Sequence, residues 1–531
     1  MTTILSRYKY LLLAGLFFLT LQACYKDKGN YDYAPLPPVV VIDTNSYLTS
    51  YTKVYTVDSL IIDPVISYSG NIEDLSYEWQ MWDNSVGRFV HFQQGKRLAY
   101  KVGADQYVKA TGIYNLRLGV SNRSLKSDTA DPDAAMTYSR IVTMTVVTAN
   151  YIGLMVLHGD GTQCDVGLIE DNFFMPKATQ TVTTKVTPGF YSSFNNGEKI
   201  PGVGKQVEKV GVVSTFGSSI FGTSNVYIFT DKVNIRTAYL RMEKLGDYSA
   251  LFALPSLASG KPGYYTQFGT NQSKAMVDDG RVFYGNFVGP LSNTDFTYYA
   301  APYVALVGSA GFTGGPSRGV VAFDTISKAF LYSTYGSGTT NINKFPDNTV
   351  SGVDLQPNNM KAKLVYMDIR GRTYNTLAVL KDATTGNDYL AEFNFWATDA
   401  SQVSVGKYPM ENLPGYGSIK FYAFGRELNM VYYATGNTLY QYLYQGGNTA
   451  SAIYTVPSGE EITGVKVIKY EYAATSTTYQ YSNKQMVIAT VDQQGKGKVY
   501  AFSVNTVTGA TTLKKVFDGF GQIYDMSVKD Q

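Results

Sequence analysis

The sequence predicts an all-β protein: an immunoglobulin-like β-sandwich followed by a β-propeller of about seven or eight blades. Three observations carry that prediction. Hydrophobic residues make up 44% of the 531 and charged residues only 16%, which is ample for large buried cores. The chain is punctuated by 50 glycines and holds 45 tyrosines, a composition that suits strands and turns. Short apolar or alternating runs bounded by turn residues recur from Val39 onward, with no convincing helical period after Tyr151.

Met1–Tyr10 carries Arg7 and Lys9 and no acid, and an apolar run from Leu11 to Leu21 follows. That is the layout of a secretory signal, and the run is too short to span a bilayer. It ends in Leu21-Gln22-Ala23-Cys24, which resembles the bacterial lipobox. Residues 1–23 are therefore expected to be removed, and Cys24 is expected to carry the lipid. Several acyl chains on one cysteine anchor stably, because each buried methylene contributes about 0.8 kcal/mol. Residues 24–38 hold Pro35, Pro37 and Pro38 and read as an extended spacer.

From 39 to 148 the strand pattern is that of a sandwich. Val39–Ile42, Ser59–Ile62, Ser76–Trp82, Thr111–Asn122 and Arg140–Val147 each have strand length and β-propensity. Tyr77, Trp79 and Met81 share one face, while Trp82 starts the other. Trp79 and Trp82 could form a stacking platform for carbohydrate; core packing for one and rim packing for the other is the preferred reading. Asp128, Asp131 and Asp133 cluster, but without the Gly and distal Glu of a calcium loop they read as a solvated turn.

The segment Cys-Tyr-Lys-Asp-Lys-Gly-Asn-Tyr-Asp-Tyr at 24–33 resembles the start of PKD-like lipoproteins of Bacteroidetes, a family encoded beside SusC/SusD-type outer-membrane import systems. The Tyr-x-Trp strand at 77–79 and the Gly-x-Tyr-x-Leu-x-Leu-x-Val strand at 112–120 resemble the PKD-type sandwich in the order that family has. The resemblance implies a surface lipoprotein associated with a SusC/SusD-type, TonB-dependent uptake complex.

Residues 151–531 are read as the propeller. Val226–Thr230 with Thr237–Leu240, Gly319–Asp324 with Ala329–Ser333, Asn429–Ala434 with Thr438–Tyr442, and Met486–Val491 with Lys498–Val504 repeat one logic: an apolar strand, a polar turn, a second strand. One sandwich rarely needs about 380 residues, whereas radially repeated four-stranded sheets do. Propeller ligands bind on loops near the channel. Tyr264 and Tyr265, after Lys261-Pro262-Gly263 and able to be exposed together, and Trp396, near a loop after Tyr389–Phe395, are the candidate ligand-binding residues, able to stack on sugars or peptide side chains; for each of them packing in a blade core or between blades is the preferred reading.

Much chemistry is excluded. A balance of 45 basic against 42 acidic residues builds no field for nucleic acid. With two histidines (His91, His158) and two cysteines (Cys24, Cys164), no zinc site of several Cys and His ligands can form, and no metal or cofactor is expected. Cys164 is left without an intramolecular partner once Cys24 is lipidated. Ser124 and Ser193 lie in no nucleophile frame, Gly202–Lys205 reads as a turn, and His158 is placed at a hairpin turn. No catalytic residue is assigned. The expectation is a non-enzymatic, lipid-anchored outer-membrane protein that binds an oligosaccharide, an oligopeptide or the transporter proteins themselves. The rivals are a glycan-degrading enzyme with paired carboxylates on a propeller face, and an adhesin.

Overall fold

Leu116, Leu118 and Val120 are fully buried and alternate with Arg117 and Gly119, and that period of two makes Gly112–Asn122 a strand with one face in a core. The structure, a computed structural model, describes residues 38–529 apart from 56–57, 110, 123–135, 148–150, 176–181, 217–218, 268–273, 286–289, 294–299, 307–317, 335–341, 369–374, 426–429, 471–481 and 483. The expected signal segment, Cys24, most of the spacer, Ser124 and the Asp128–Asp133 cluster lie outside the described residues. The chain divides into two compact units, Met1–Ala149 and Asn150–Gln531.

In the first unit Gly112–Asn122 pairs antiparallel with Leu75–Asp83 and with Val142–Val147. Val142–Val147 also pairs in parallel with Ser50–Val54. Arg88–Gln94 completes that sheet on its far edge. Two further pairs, Val40–Asp43 with Val65–Tyr68 and Ser59–Ile62 with Leu98–Lys101, supply the facing layer. Trp79 is buried at the centre with Leu60, Leu98, Leu118 and Met144, and its indole N–H donates to the Lys96 carbonyl at 3.1 Å. Trp82 is 39% exposed and meets the edge of Phe89. One tryptophan thus fills the core and the other stands on the outer face.

The second unit is a succession of seven sheets among the described residues, of which the second to seventh are each a four-stranded antiparallel meander. The leading strands of the second to seventh sheets are Gly204–Phe216, Pro262–Gln267, Ala300–Leu306, Ala362–Asp368, Phe421–Phe424 and Glu460–Val467. The first sheet is built differently. Its edge strand is the last of the chain, Gln522–Lys529, paired with Gly153–Gly159. Each leading strand touches the next in turn, the seventh touches Gln522–Lys529, and that strand touches Gly204–Phe216. Apolar clusters fill the spaces between consecutive sheets. Phe323 and Phe330 of the fourth meet Leu380 and Phe393 of the fifth, and Val487, Val499 and Phe520 of the seventh meet Leu154, Val156 and Met526 of the first. Every such cluster needs both sheets, so no single sheet buries its own faces.

Several strands differ from expectation. The strand expected at Thr237–Leu240 is Asn234–Ala238. The Thr230 hydroxyl accepts from the Lys232 and Val233 amides, which closes the turn at once and starts the return strand three residues early. His158 lies inside the strand Gly153–Gly159, just before the turn. Among the described residues no helix is long and apolar enough to cross a membrane.

Candidate functional site

A cavity of about 580 Å³ lies within the second unit, and all six leading strands together with Gln522–Lys529 line it. One wall is aromatic. Tyr264, Tyr303 and Tyr366 come from the third, fourth and fifth sheets, and Tyr422 from the sixth. Their rings form a continuous arc: Tyr264 to Tyr303 at 5.5 Å between centroids, Tyr303 to Tyr366 at 5.3 Å, and Tyr366 to Tyr422 at 5.9 Å and nearly parallel. Tyrosine brings an apolar face and a polar rim to the same place.

The seventh, first and second sheets bring Lys466, Asp525 and Glu208, and Asp368 from the fifth and Lys420 beside the sixth add charge. Lys466 pairs with Asp525 at 3.3 Å, the Asp525 carboxylate also accepts from the Val207 amide, and Ser527 donates to Glu208 at 3.2 Å. Lys469 pairs with Asp368, and Lys420 at the rim pairs with Glu461. Removal from bulk water pushes the Glu208 carboxyl up to about 7; Asp525 adds to the rise and Lys466 opposes it. Burial lowers the Lys466 ammonium, but Asp525 and Glu208 outweigh it, so its pKa ends above the ordinary value. Burial, reinforced by Asp368, holds the Tyr264 and Tyr366 hydroxyls protonated far above the usual tyrosine range.

The structure does not bring the three candidate residues together. Tyr264 is half-buried on the cavity wall. Tyr265 is 1% exposed, because the next side chain along a strand points the opposite way, here into the apolar cluster with Phe229, Met276 and Phe283. Tyr265 therefore follows the packing reading and is not exposed beside Tyr264. Trp396 packs, half-buried, against the cluster between the fourth and fifth sheets, and its amide donates to the Asn394 side chain; it is not among the cavity-lining residues. Glu208, Tyr303, Tyr366, Asp368, Tyr422, Lys466, Lys469 and Asp525 carry the site and were not anticipated. A signal existed in charges set inside apolar strands, as in Val465-Lys466-Val467 and Tyr524-Asp525-Met526.

The histidines serve the scaffold. His91 pairs with Glu78 at 2.7 Å on the outer face of the sandwich. His158 has both ring nitrogens engaged, Nε2 with the Pro188 carbonyl and Nδ1 with the Gly521 amide, and burial lowers its pKa. Cys164 is buried as a free thiol, and burial pushes its pKa up to about 12, which keeps it unreactive. Ser193 is the last residue of the short helix Phe190–Ser193, and its hydroxyl donates to the Phe190 carbonyl. Among the described residues no group of three His, Cys, Asp or Glu side chains is placed to hold a metal.

Residues 24–203 match the PKD-like family. The match covers the expected spacer, the first unit from residue 24 onward and the strands of the second unit's first sheet other than Gln522–Lys529. No curated protein matches the chain. Similar solved structures include a quinonprotein alcohol dehydrogenase-like protein from Bacteroides thetaiotaomicron, at 11% identity and TM-score 0.41 over 92% of this chain and 99% of that one. The WD40 domain of SCAP from fission yeast gives 7% identity and TM-score 0.33 over 59% and 77%. A lectin from Burkholderia pseudomallei gives 13% identity and TM-score 0.34 over 69% and 98%. At such scores none of these likenesses says what this protein does.

Proposed function

We propose that this protein is a non-enzymatic lipoprotein of the outer membrane, anchored through Cys24, that binds an oligosaccharide or oligopeptide as an accessory of a SusC/SusD-type uptake complex. In this reading the seven sheets are the blades of a closed propeller, with Gln522–Lys529 as the strand that ties the last blade to the first, and the cavity at their leading strands is the ligand site. The observation that carries the reading is the tyrosine arc from Tyr264 to Tyr422. It offers stacking surface and hydroxyls in one wall, which is how proteins hold sugars and peptide side chains without altering their bonds. A tether beside a transporter makes even modest affinity useful, since it raises the local ligand concentration at the pore. The lipobox-like Leu21-Gln22-Ala23-Cys24 and the match of residues 24–203 to the PKD-like family support the anchor and the setting.

One observation favours a hydrolytic reading instead. Glu208, with a pKa near 7, shares the cavity with a second carboxylate, Asp525, and a protonated carboxyl beside an ionised one is what acid–base glycoside cleavage uses. Against it, Asp525 is engaged by Lys466 and by the Val207 amide, which leaves it poorly free to act on a substrate. The test is a screen of oligosaccharides and oligopeptides for binding and for cleavage, run beside a pull-down of the tagged chain from its native outer membranes. Binding without cleavage, with SusC/SusD-type proteins recovered, is the expected result. Cleavage that disappears in Glu208→Gln would replace the proposal with the hydrolytic reading.

A further inference from the structure

The charges that line the cavity are matched in pairs. Lys466 is held by Asp525 at 3.3 Å, Lys469 by Asp368, and Lys420 at the rim by Glu461. Lys209 lies over the Tyr239 ring at 5.7 Å, and Lys205 is exposed, where water and salt screen it. Glu208 accepts from Ser527 at 3.2 Å and, with a pKa of about 7, carries only part of its charge at neutral pH. Among the described residues the cavity therefore presents ion pairs with little net charge.

This balance disfavours a charged ligand. A carboxylate entering the cavity would have to draw Lys466 or Lys469 from its partner, leaving Asp525 or Asp368, each less than one-fifth exposed, without its cation. A bound ammonium would do the reverse to the lysines. Either exchange strands a poorly solvated charge, which costs more than the new pair returns. A hydroxyl strands nothing: it accepts from an ammonium and donates to a carboxylate at once, so neighbouring hydroxyls of a pyranose can span an ion pair without opening it. The tyrosine arc adjoins these pairs, because the Tyr366 hydroxyl donates to Asp368 at 3.4 Å. The Tyr303 ring lines the same cavity, and among the described residues its hydroxyl has no hydrogen-bond partner.

We propose that the cavity selects a neutral oligosaccharide, with sugar rings against the tyrosine arc and neighbouring hydroxyls spanning the Lys469–Asp368 and Lys466–Asp525 pairs. This rests on the reading that the cavity is the ligand site. A pyranose has a C–H face for the tyrosine rings and, at its edge, hydroxyls that both give and accept. A short peptide brings a terminal ammonium and a terminal carboxylate that meet no spare counter-charge, and amides whose N–H only donates and whose C=O only accepts, each needing its own partner inside the cavity.

The experiment is titration calorimetry on the full chain at pH 7, in a detergent without a sugar headgroup. The probes are the neutral tetrasaccharides of glucose, galactose, mannose and xylose, the tetrasaccharides of galacturonic and glucuronic acid, and tetra-alanine. At least one neutral sugar is expected to bind about tenfold or more tightly than either uronate, because the carboxylate has to open an ion pair, and its affinity should stay nearly level as salt is raised. Tyr303→Phe keeps the ring and removes only the hydroxyl; it should weaken that sugar by about threefold to tenfold, the size of one hydrogen bond, with thermal stability unchanged. Asp368→Asn, which frees Lys469, should narrow the gap between neutral sugar and uronate. Because the ranking of the probes and the salt series are read on the unaltered protein, a variant that fails to fold does not remove the test. A uronate bound as tightly as the best neutral sugar, and weakened by Tyr303→Phe, would overturn the selectivity for neutral sugars and leave the site standing. Tightest binding of tetra-alanine would overturn the sugar assignment. Binding of none of the probes, or binding untouched by both Tyr303→Phe and Tyr366→Ala, would overturn both this inference and the assignment of the cavity as the site.

Discussion

Asp368 and Lys469 form an ion pair between two sheets that are not neighbours. Asp368 ends the leading strand of the fifth sheet and Lys469 lies just beyond the leading strand of the seventh, so the pair reaches past the sixth. Both side chains are less than one-fifth exposed, and removing either charge leaves the other poorly solvated. Asp368→Asn is therefore expected to lower stability by about 1–3 kcal/mol, less than for a fully buried pair. Combining it with Lys469→Met should recover part of the loss. Urea unfolding of the parent, both single variants and the double variant checks this, and an additive double variant would show that the pair couples nothing.

Buried and cavity-lining tyrosines of the leading strands should behave differently. Tyr265→Ala empties a packed site between the second and third sheets and is expected to cost about 3–5 kcal/mol, as for other large aromatic truncations. Tyr366→Ala, on the half-buried cavity wall, should cost less stability and reduce ligand affinity by about tenfold or more. Thermal unfolding set beside ligand titration separates the two effects.

Below about pH 6.5 His158 should make the protein less stable. Burial lowers its pKa in the fold, while in the unfolded chain it takes up a proton near the ordinary value of about 6.5. As pH falls below that value the unfolded state binds a proton that the folded state refuses, so stability is lost until the folded value is passed; above it the contribution is complete. His158→Gln should flatten the decline in urea midpoint between pH 7.5 and 5.5 relative to the parent.

The last described strand is held by a buried lysine. Lys529 Nζ donates to the carbonyls of Tyr151 at 2.6 Å and Leu240 at 2.8 Å and lies over the Tyr239 ring, and burial lowers its pKa to about 7. Lys529→Ala leaves two carbonyls short of a donor and is expected to cost about 2–4 kcal/mol. Deleting 522–531 removes the partner of Gly153–Gly159 altogether, and soluble expression of the second unit should fail. A folded, monomeric deletion variant would show that the first sheet holds without it.

Cys24→Ala is expected to release the protein from membranes or to block removal of the leader, because attachment in this reading depends on acyl chains and on no apolar span. Membrane fractionation of parent and variant decides it; equal retention with normal processing would remove the lipid anchor.

The elements themselves were largely legible. Ser59–Ile62 is a strand with the bounds its residues predict, and Met486–Val491 and Lys498–Val504 each extend by one or two residues, because apolar runs between Gly- and Asp-rich turns leave few other solutions. The cavity residues were not. Five of the six leading strands carry a register shift against their neighbour, at Gly204/Gln206, Pro262/Tyr264, Ala300/Val304, Leu364/Tyr366 and Ile462/Gly464. A bulge inserts one residue and re-aims the side chains beyond it. In Ala362–Asp368 the shift leaves Val365 without a partner on the neighbouring strand, between Leu364 and Tyr366.

By itself the sequence determined the all-β character and that one of Trp79 and Trp82 belongs in the core, since each arises from residues close together in the chain. Only the tertiary structure decided that Gln522–Lys529 joins Gly153–Gly159, more than 360 residues away, and that Tyr264, Tyr303, Tyr366 and Tyr422 share one wall while Lys466 and Asp525 share another. Local pattern tells a strand which of its faces is apolar, but which strands meet depends on how the apolar faces of successive sheets close on one another. The cavity is the space those closures leave between the leading strands, so its chemistry exists only once all seven sheets are in place.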